Sequence, residues 1–171
     1  MPLKLKDKVV VVTGGAEGLG CATALKCAEA GGQVIVADIN LDGAEDTART
    51  IINNGGRARA VPVDLTQEDQ VAGLMEQTRN AFGHLDILIN CAGILLSAGQ
   101  RVDQFSSDSW SQVIAVNLSG TFFVSNTLSP YWKKAEGVYW FFWLREPGFP
   151  VAPPQSPTRP VRVECEVLRS A

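Results

Sequence analysis

Thr13-Gly14-Gly15-Ala16-Glu17-Gly18-Leu19-Gly20 is the stretch that decides the fold of this chain. It directly follows Lys8 to Thr13 (KVVVVT), a β-branched run that predicts a strand buried on both faces. The residues after it predict a helix over about residues 19–30. A strand, a glycine turn and a helix in this order are typical of a phosphate-binding α/β unit, because glycine lets the backbone approach a pyrophosphate closely. The turn alone also fits a purely structural strand–helix connection.

Short apolar runs alternate with amphipathic stretches after this turn. Strands are predicted over residues 33–39, 58–65 and 85–90, and helices over residues 41–53, from 66 to 83, and from 106 onward. The alternation predicts an α/β fold with a Rossmann-like, doubly wound parallel sheet that is incomplete in its C-terminal half. Pro62 indicates that the third strand lies near a sheet edge. Thr66-Gln67-Glu68-Asp69 predicts a capping box.

Composition narrows the class of protein. A formal net charge of -3 predicts neither a nucleic-acid partner nor an anionic membrane partner. The polar start is unlike a signal peptide, and the four cysteines form no CxxC pair, so we expect a cytoplasmic protein with reduced thiols. His84 is the single histidine, and we expect no metal site.

Carboxylates and amides follow the predicted strands. Asp38 ends the second strand, where its carboxylate can accept hydrogen bonds from both hydroxyls of an adenosine ribose. The same carboxylate would repel a 2′-phosphate, and the glycine turn holds Glu17 but no Arg or Lys, so the sequence predicts NAD rather than NADP. Asp64-Leu65 can flank an adenine ring, and Asn90-Cys91-Ala92-Gly93 falls on the same edge. Asp64 and Asn90 also fit roles as turn or capping residues.

Five features together carry a family resemblance. They are TGGAEGLG (residues 13–20), Asp38, VDLT (63–66), NCAG (90–93) and VNLSG (116–120). As a set they resemble the short-chain dehydrogenases/reductases over roughly residues 5–135, with Cys91 standing where a second asparagine is usual. The resemblance implies a Rossmann-type fold, NAD(P)(H) binding, and hydride transfer between a nicotinamide and an alcohol or carbonyl substrate.

The resemblance also implies site residues and assembly. The implied cofactor contacts are Gly14, Gly18, Leu19, Gly20, Asp38, Asp64, Leu65, Asn90, Ala92 and Gly93. Asn117 would be the helix asparagine that helps to position a proton-relay water. Family members are usually homo-oligomers that pair through the long helix and a later helix, which has no counterpart here, so self-association is in doubt.

The acid–base group of the family is missing from the sequence. Reduction of a carbonyl needs a proton donor, and the family uses a serine and a Tyr-x-x-x-Lys, in which the lysine charge lowers the tyrosine pKa. Tyr131 has Lys134 at i+3, Tyr139 has Trp143 at i+4, and no lysine follows Lys134. We therefore carry over no catalytic Ser, Tyr or Lys.

The prediction is an NAD-dependent short-chain oxidoreductase, truncated or altered after about Lys134 and impaired. The alternative is a non-catalytic NAD-binding or interaction module.

The last part of the chain changes character. Six of the nine prolines fall within residues 147–160. We predict a dinucleotide-binding domain over residues 1–146 and a proline-rich, disordered tail over 147–171. Residues 138–143 are predicted to be a fifth strand, because the fourth strand would otherwise be an exposed apolar edge.

Overall fold

The computed structural model describes residues 4–96, 101–132 and 139–142. The strands β1 to β5 are Val9–Thr13, Gln33–Asp38, Arg57–Pro62, Ile87–Asn90 and Tyr139–Phe142. The helices α1 to α5 are Gly18–Glu29, Leu41–Asn53, Glu68–Phe82, Ser107–Ile114 and Thr121–Trp132. A 3-10 turn covers Val102–Gln104, and a π-helical turn, Ala115–Gly120, joins α4 to α5. None of the helices in these ranges is long and apolar enough to cross a membrane.

All five strands are parallel, in the order β3-β2-β1-β4-β5. Strands are added outward from β1 as far as β3, and β4 then returns to the other side of β1. In doubly wound sheets such a reversal leaves a crevice beside the carboxyl ends of the two strands, here β1 and β4, and ligands bind in it. The predicted Rossmann-like parallel fold is confirmed, and β3 is at an edge, as Pro62 indicated.

The predicted fifth strand is confirmed for Tyr139–Phe142. Its four residues pair in parallel with β4, from Ile87 opposite Tyr139 to Asn90 opposite Phe142. Covering β4 in this way satisfies the backbone hydrogen-bonding groups along its outer edge. The predicted boundary after residue 146 and the tail over 147–171 lie outside the described residues.

The core lies on both faces of the sheet. Val9 and Val11 pack with residues of α3 and α5, whereas Val10 and Val12 pack with residues of α1 and α2. All four valines are completely buried. Side chains alternate across a strand, so a central strand between two helical layers needs apolar residues at every position. This need explains the uninterrupted valine run before the glycine turn.

One prediction about a helix start was wrong. Helix α3 begins at Glu68 after Gln67, whose side chain makes no capping hydrogen bond, while Thr66 donates to Asp64 instead of capping the helix. The long helix predicted after Ser106 is present, with Ser106 as its N-cap, and it continues from α4 through the π-helical turn into α5. Turns of this kind insert one residue and often mark functional sites.

A charged cluster ties the amino ends of β1 and β4 together. Asp86 accepts hydrogen bonds from the Val9 N–H at 2.8 Å and the Lys8 ammonium at 2.9 Å, and His84 Nε2 lies 3.0 Å from it. Burial by itself raises the pKa of Asp86. The hydrogen bonds from Val9 and Lys8 and the charges of Lys8 and His84 outweigh burial, so the pKa is lowered from its ordinary value.

We expect Asp86→Ala to lower the free energy of unfolding at pH 7 by about 1–3 kcal/mol, because the buried Val9 N–H loses its acceptor. The carboxylate contributes fully above its unfolded pKa of about 3.9, and its contribution is lost as the pH falls through the lower folded pKa. Asp86→Asn keeps an acceptor and should instead flatten the acid side of the stability curve. Urea unfolding from pH 2 to 7 measures both effects. An Asp86→Ala variant as stable as Asp103→Ala, which breaks an exposed pair with Arg101, would contradict this account.

Candidate functional site

The glycine turn lies where the crevice opens, at the carboxyl end of β1. The Gly15 N–H donates to the Ala37 carbonyl of β2 at 3.2 Å, which holds the turn against the sheet. Glu17, the N-cap of α1, has an extended backbone, and its side chain makes no capping hydrogen bond. The first N–H groups of a helix have no intrahelical partner. The start of α1 therefore offers N–H donors and the positive end of the helix dipole, the arrangement that binds phosphate.

Two glycines in this turn approach other backbone very closely. Gly14 has φ +67°, and a Cβ placed on it would lie 2.7 Å from both N and Cα of Ala92. A Cβ on Gly20 would overlap the carbonyl oxygen of Gly14. The absence of side chains here lets the turn, the start of α1 and the loop after β4 pack together at one place, whereas a Cβ on Gly18 would meet nothing within 4 Å.

Asp38 stands at the carboxyl end of β2, next to the glycine turn. Its Oδ2 accepts the Ala16 N–H at 3.0 Å and its Oδ1 accepts the Asn40 N–H at 2.9 Å. These bonds fix the carboxylate, and since a carboxylate has about four acceptor positions, it can accept further donors. The residue is half-buried, so such donors can reach it from the crevice.

Asp64 and Leu65 follow β3 but lie in different environments. Asp64 Oδ1 accepts the Thr66 N–H and hydroxyl at 2.9 and 2.8 Å, which closes a tight turn. Leu65 is only 6% exposed, and a Cβ on Gly120 would lie 2.9 Å from the Leu65 Cβ. Leu65 therefore packs against the π-helical turn.

Asn90 ends β4 inside a chain of hydrogen bonds. Its Oδ1 accepts the Thr13 hydroxyl at 2.6 Å, and its Nδ2 donates to the Thr121 hydroxyl at 3.0 Å. The Thr13 hydroxyl accepts the Ala92 N–H at 3.3 Å. The Asn90 amide is thus committed to joining β1, β4 and α5, and it is 9% exposed. Its role in the described structure is to position the loop that follows β4.

Asn117 lies in the π-helical turn and faces the same loop. Its Oδ1 accepts the Ile94 N–H at 2.8 Å, and its Nδ2 donates to the Ile94 carbonyl at 2.9 Å. The residue remains exposed. The amide thus binds the loop backbone through both its oxygen and its nitrogen.

Thiol chemistry is unfavourable at this edge of the sheet. Burial raises the pKa of Cys91, although a hydrogen bond with Thr23 opposes the rise. Burial, with a smaller contribution from Cys91, raises the pKa of Cys27 to about 11. Because the thiolate is the reactive form, neither residue has the properties of a catalytic nucleophile.

The structure gathers the predicted site residues along one edge of the sheet. Gly14, Gly20 and Ala92 meet directly, and Gly93 lies near Asn117, since a Cβ on Gly93 would be 3.4 Å from the Asn117 Oδ1. Gly18 begins α1, and Leu19 beside it is 41% exposed.

Sequence reasoning missed Thr13 and Thr121 as partners of Asn90. The signal for Thr121 was its position four residues after Asn117, whose carbonyl it binds at 2.7 Å.

Comparisons with known proteins agree with this architecture. The family model described as short chain dehydrogenase matches residues 8–138. An uncharacterized oxidoreductase of Bacillus subtilis, YxbG, is 40% identical over 127 residues, which are 74% of this chain and 46% of that protein. A cis-4-hydroxycyclohexanecarboxylate dehydrogenase of Sinomonas cyclohexanicum is 40% identical over 67% of this chain and 45% of its own length.

Solved structures give the same result. A short chain dehydrogenase from Mycobacterium avium superposes with a TM-score of 0.71 at 34% identity, covering 75% of this chain and 48% of that one. A hydroxysteroid dehydrogenase from Escherichia coli also has a TM-score of 0.71, at 30% identity, covering 78% of this chain and 55% of that one. The chain thus spans about half the length of the relatives it matches.

Proposed function

Because this chain belongs to the short-chain dehydrogenase family, we propose that it binds a nicotinamide dinucleotide, NAD in preference to NADP, at the crevice between β1 and β4. The observation that carries the proposal is the fixed carboxylate of Asp38, whose two oxygens each accept one backbone N–H and retain room for ribose hydroxyls. A 2′-phosphate at this position would meet the same negative charge.

The rest of the crevice fits the pyrophosphate of such a molecule. Gly14 and Gly20 let the turn pack closely on the backbone around it, the space beside Gly18 is open, and no side chain caps the start of α1. Asp64 and the backbone of Leu65 would bound the adenine end, while Ala92, Gly93 and Asn117 would lie towards the nicotinamide end. When bound, the nicotinamide supplies or accepts a hydride, and these residues of the chain orient it and limit the access of water.

We further propose that this chain is impaired in catalysis. No Tyr-x-x-x-Lys occurs anywhere in its 171 residues, so no phenol with a lysine-lowered pKa is supplied to protonate a carbonyl. A missing general acid typically costs about 10²- to 10⁴-fold in rate. We also propose a cytoplasmic location, which the reduced thiols lead us to expect.

The second candidate function is a non-catalytic NAD-binding or interaction module. Three apolar side chains of the α4–α5 region favour it. Trp110, Leu118 and Phe122 are 61%, 63% and 60% exposed. Exposed large apolar side chains in one region of the surface are typical of contact surfaces, for a second copy or for another protein.

Binding and turnover of NADH with a panel of carbonyl compounds separate these functions. Cyclic ketones belong in the panel, because two relatives are named for alcohols carried on rings. We expect NADH to bind, and its oxidation to be slower than that by a full-length family member by about 10²-fold or more. Turnover at the rate of the full-length enzyme would contradict the impairment, and absence of NADH binding would contradict the proposed function itself.

A further inference from the structure

The hydroxyl of Thr121 completes the hydrogen-bond chain around Asn90. A threonine hydroxyl has one proton to donate, and Thr121 donates it to the Asn117 carbonyl at 2.7 Å. The hydroxyl can therefore only accept from Asn90, which must turn its Nδ2 towards α5. The Asn90 Oδ1 is thereby left to accept the proton of Thr13.

The orientation of the Asn90 amide also affects the loop after β4. While the Thr13 hydroxyl donates its hydrogen bond to Asn90, one of its lone pairs accepts the Ala92 N–H. If the Asn90 amide were flipped, its NH₂ group would face the Thr13 hydroxyl, which could then no longer donate to it. The Asn90 oxygen would face Thr121, whose hydroxyl would have to donate to Asn90 instead of to the Asn117 carbonyl. The orientation of the Asn90 amide thus depends on Thr121, and this orientation makes Thr13 donate to Asn90. The Ala92 N–H can only donate, and it binds the Thr13 oxygen that this bond holds in place.

Thr121 and Asn117 hold the loop from opposite ends. Asn117 binds the Ile94 backbone at the exposed end, while Thr121 binds Asn90 at the partly buried end. Resting on the proposed function, we propose that Thr121 is a positioning residue for the loop over residues 91–94 of the dinucleotide site. It contacts neither substrate nor cofactor and acts through Asn90.

The test compares three variants. Thr121→Val keeps the shape of the side chain and removes both hydrogen bonds, and Thr121→Ser restores the hydroxyl. Ser125→Ala is the matched control, because Ser125 lies on the same helix and its hydroxyl binds the Thr121 carbonyl at 2.6 Å without reaching β4. The readouts are the Kd for NAD, the thermal midpoint without ligand, and the amide exchange rates of Ala92 and Ile94.

We expect Thr121→Val to raise the Kd for NAD about tenfold, with Thr121→Ser and Ser125→Ala close to the wild-type value. Exchange at the Ala92 amide should be about fivefold faster or more in Thr121→Val.

Unchanged Kd and exchange would overturn the proposal. It would equally be overturned if Thr121→Val lowered the thermal midpoint without faster local exchange and Thr121→Ser gave no rescue, because the role would then be general stabilisation. If the wild-type chain binds no NAD, the proposed function fails, and exchange at Ala92 alone decides the positioning role.

Discussion

Gly14→Ala is expected to abolish detectable NAD binding and to destabilise the fold strongly. The left-handed backbone at φ +67° costs a residue with a Cβ about 1–2 kcal/mol. The new methyl would lie 2.7 Å from the Ala92 backbone, and overpacking of this kind adds about 1–3 kcal/mol. Because Ala92 belongs to the loop after β4, relief of the overlap must push that loop and the glycine turn apart.

Gly55→Ala is the control for Gly14→Ala. Gly55 also has a positive φ, +82°, but a Cβ on it meets nothing within 4 Å, and it follows α2. This variant should therefore show the backbone cost in urea unfolding and bind NAD like the wild type. A Gly14→Ala protein that bound NAD with wild-type affinity would show that the close approach of the turn to Ala92 has no part in the site.

Asp38→Asn has the second large expected effect, on the choice of cofactor. An asparagine has one acceptor oxygen, so its NH₂ group must face either the Ala16 or the Asn40 N–H, where Asp38 now accepts a bond. The variant loses the fixed acceptors for the ribose and the charge that repels a 2′-phosphate. We expect the ratio of the NADP and NAD dissociation constants to fall by about tenfold or more, equivalent to about 1.4 kcal/mol.

Asp42→Asn separates the local effect from a change in net charge. Asp42 lies in the first turn of α2 and is exposed, so its replacement makes the same charge change near Asp38 without altering the crevice. Titration with both nucleotides should give the wild-type ratio for Asp42→Asn. Equal ratios in the two variants would assign the selectivity to net charge and remove Asp38 from its role.

Much of the fold could be predicted because its determinants are local. The bounds of α2, Leu41–Asn53, were predicted correctly, since Asn40 caps the helix and Asn54 with two glycines ends it. The valine run of β1 identified the central strand. Gly83 ends α3 with the left-handed backbone typical of a helix stop.

Features that depend on tertiary contacts could not be predicted. In the π-helical turn, Gly120 packs against Leu65 and Asn117 pairs with Ile94, and both partners are distant in sequence. For the same reason the resemblance could assign Asn90 to the cofactor site but could not show that its amide is occupied by Thr13 and Thr121. Patterns along the chain place such residues at a sheet edge, and packing then decides which groups they bind.

Thermal unfolding of the wild-type chain with NAD and, in parallel, with NADP tests whether the chain binds NAD selectively. A ligand present at a hundredfold excess over its Kd stabilises the folded state by about 2.7 kcal/mol, which raises the midpoint by about 5 °C or more in a domain of this size. The account predicts such a rise with NAD and a clearly smaller one with NADP at equal concentration. A midpoint that responds to neither nucleotide, or that responds more strongly to NADP, would contradict it.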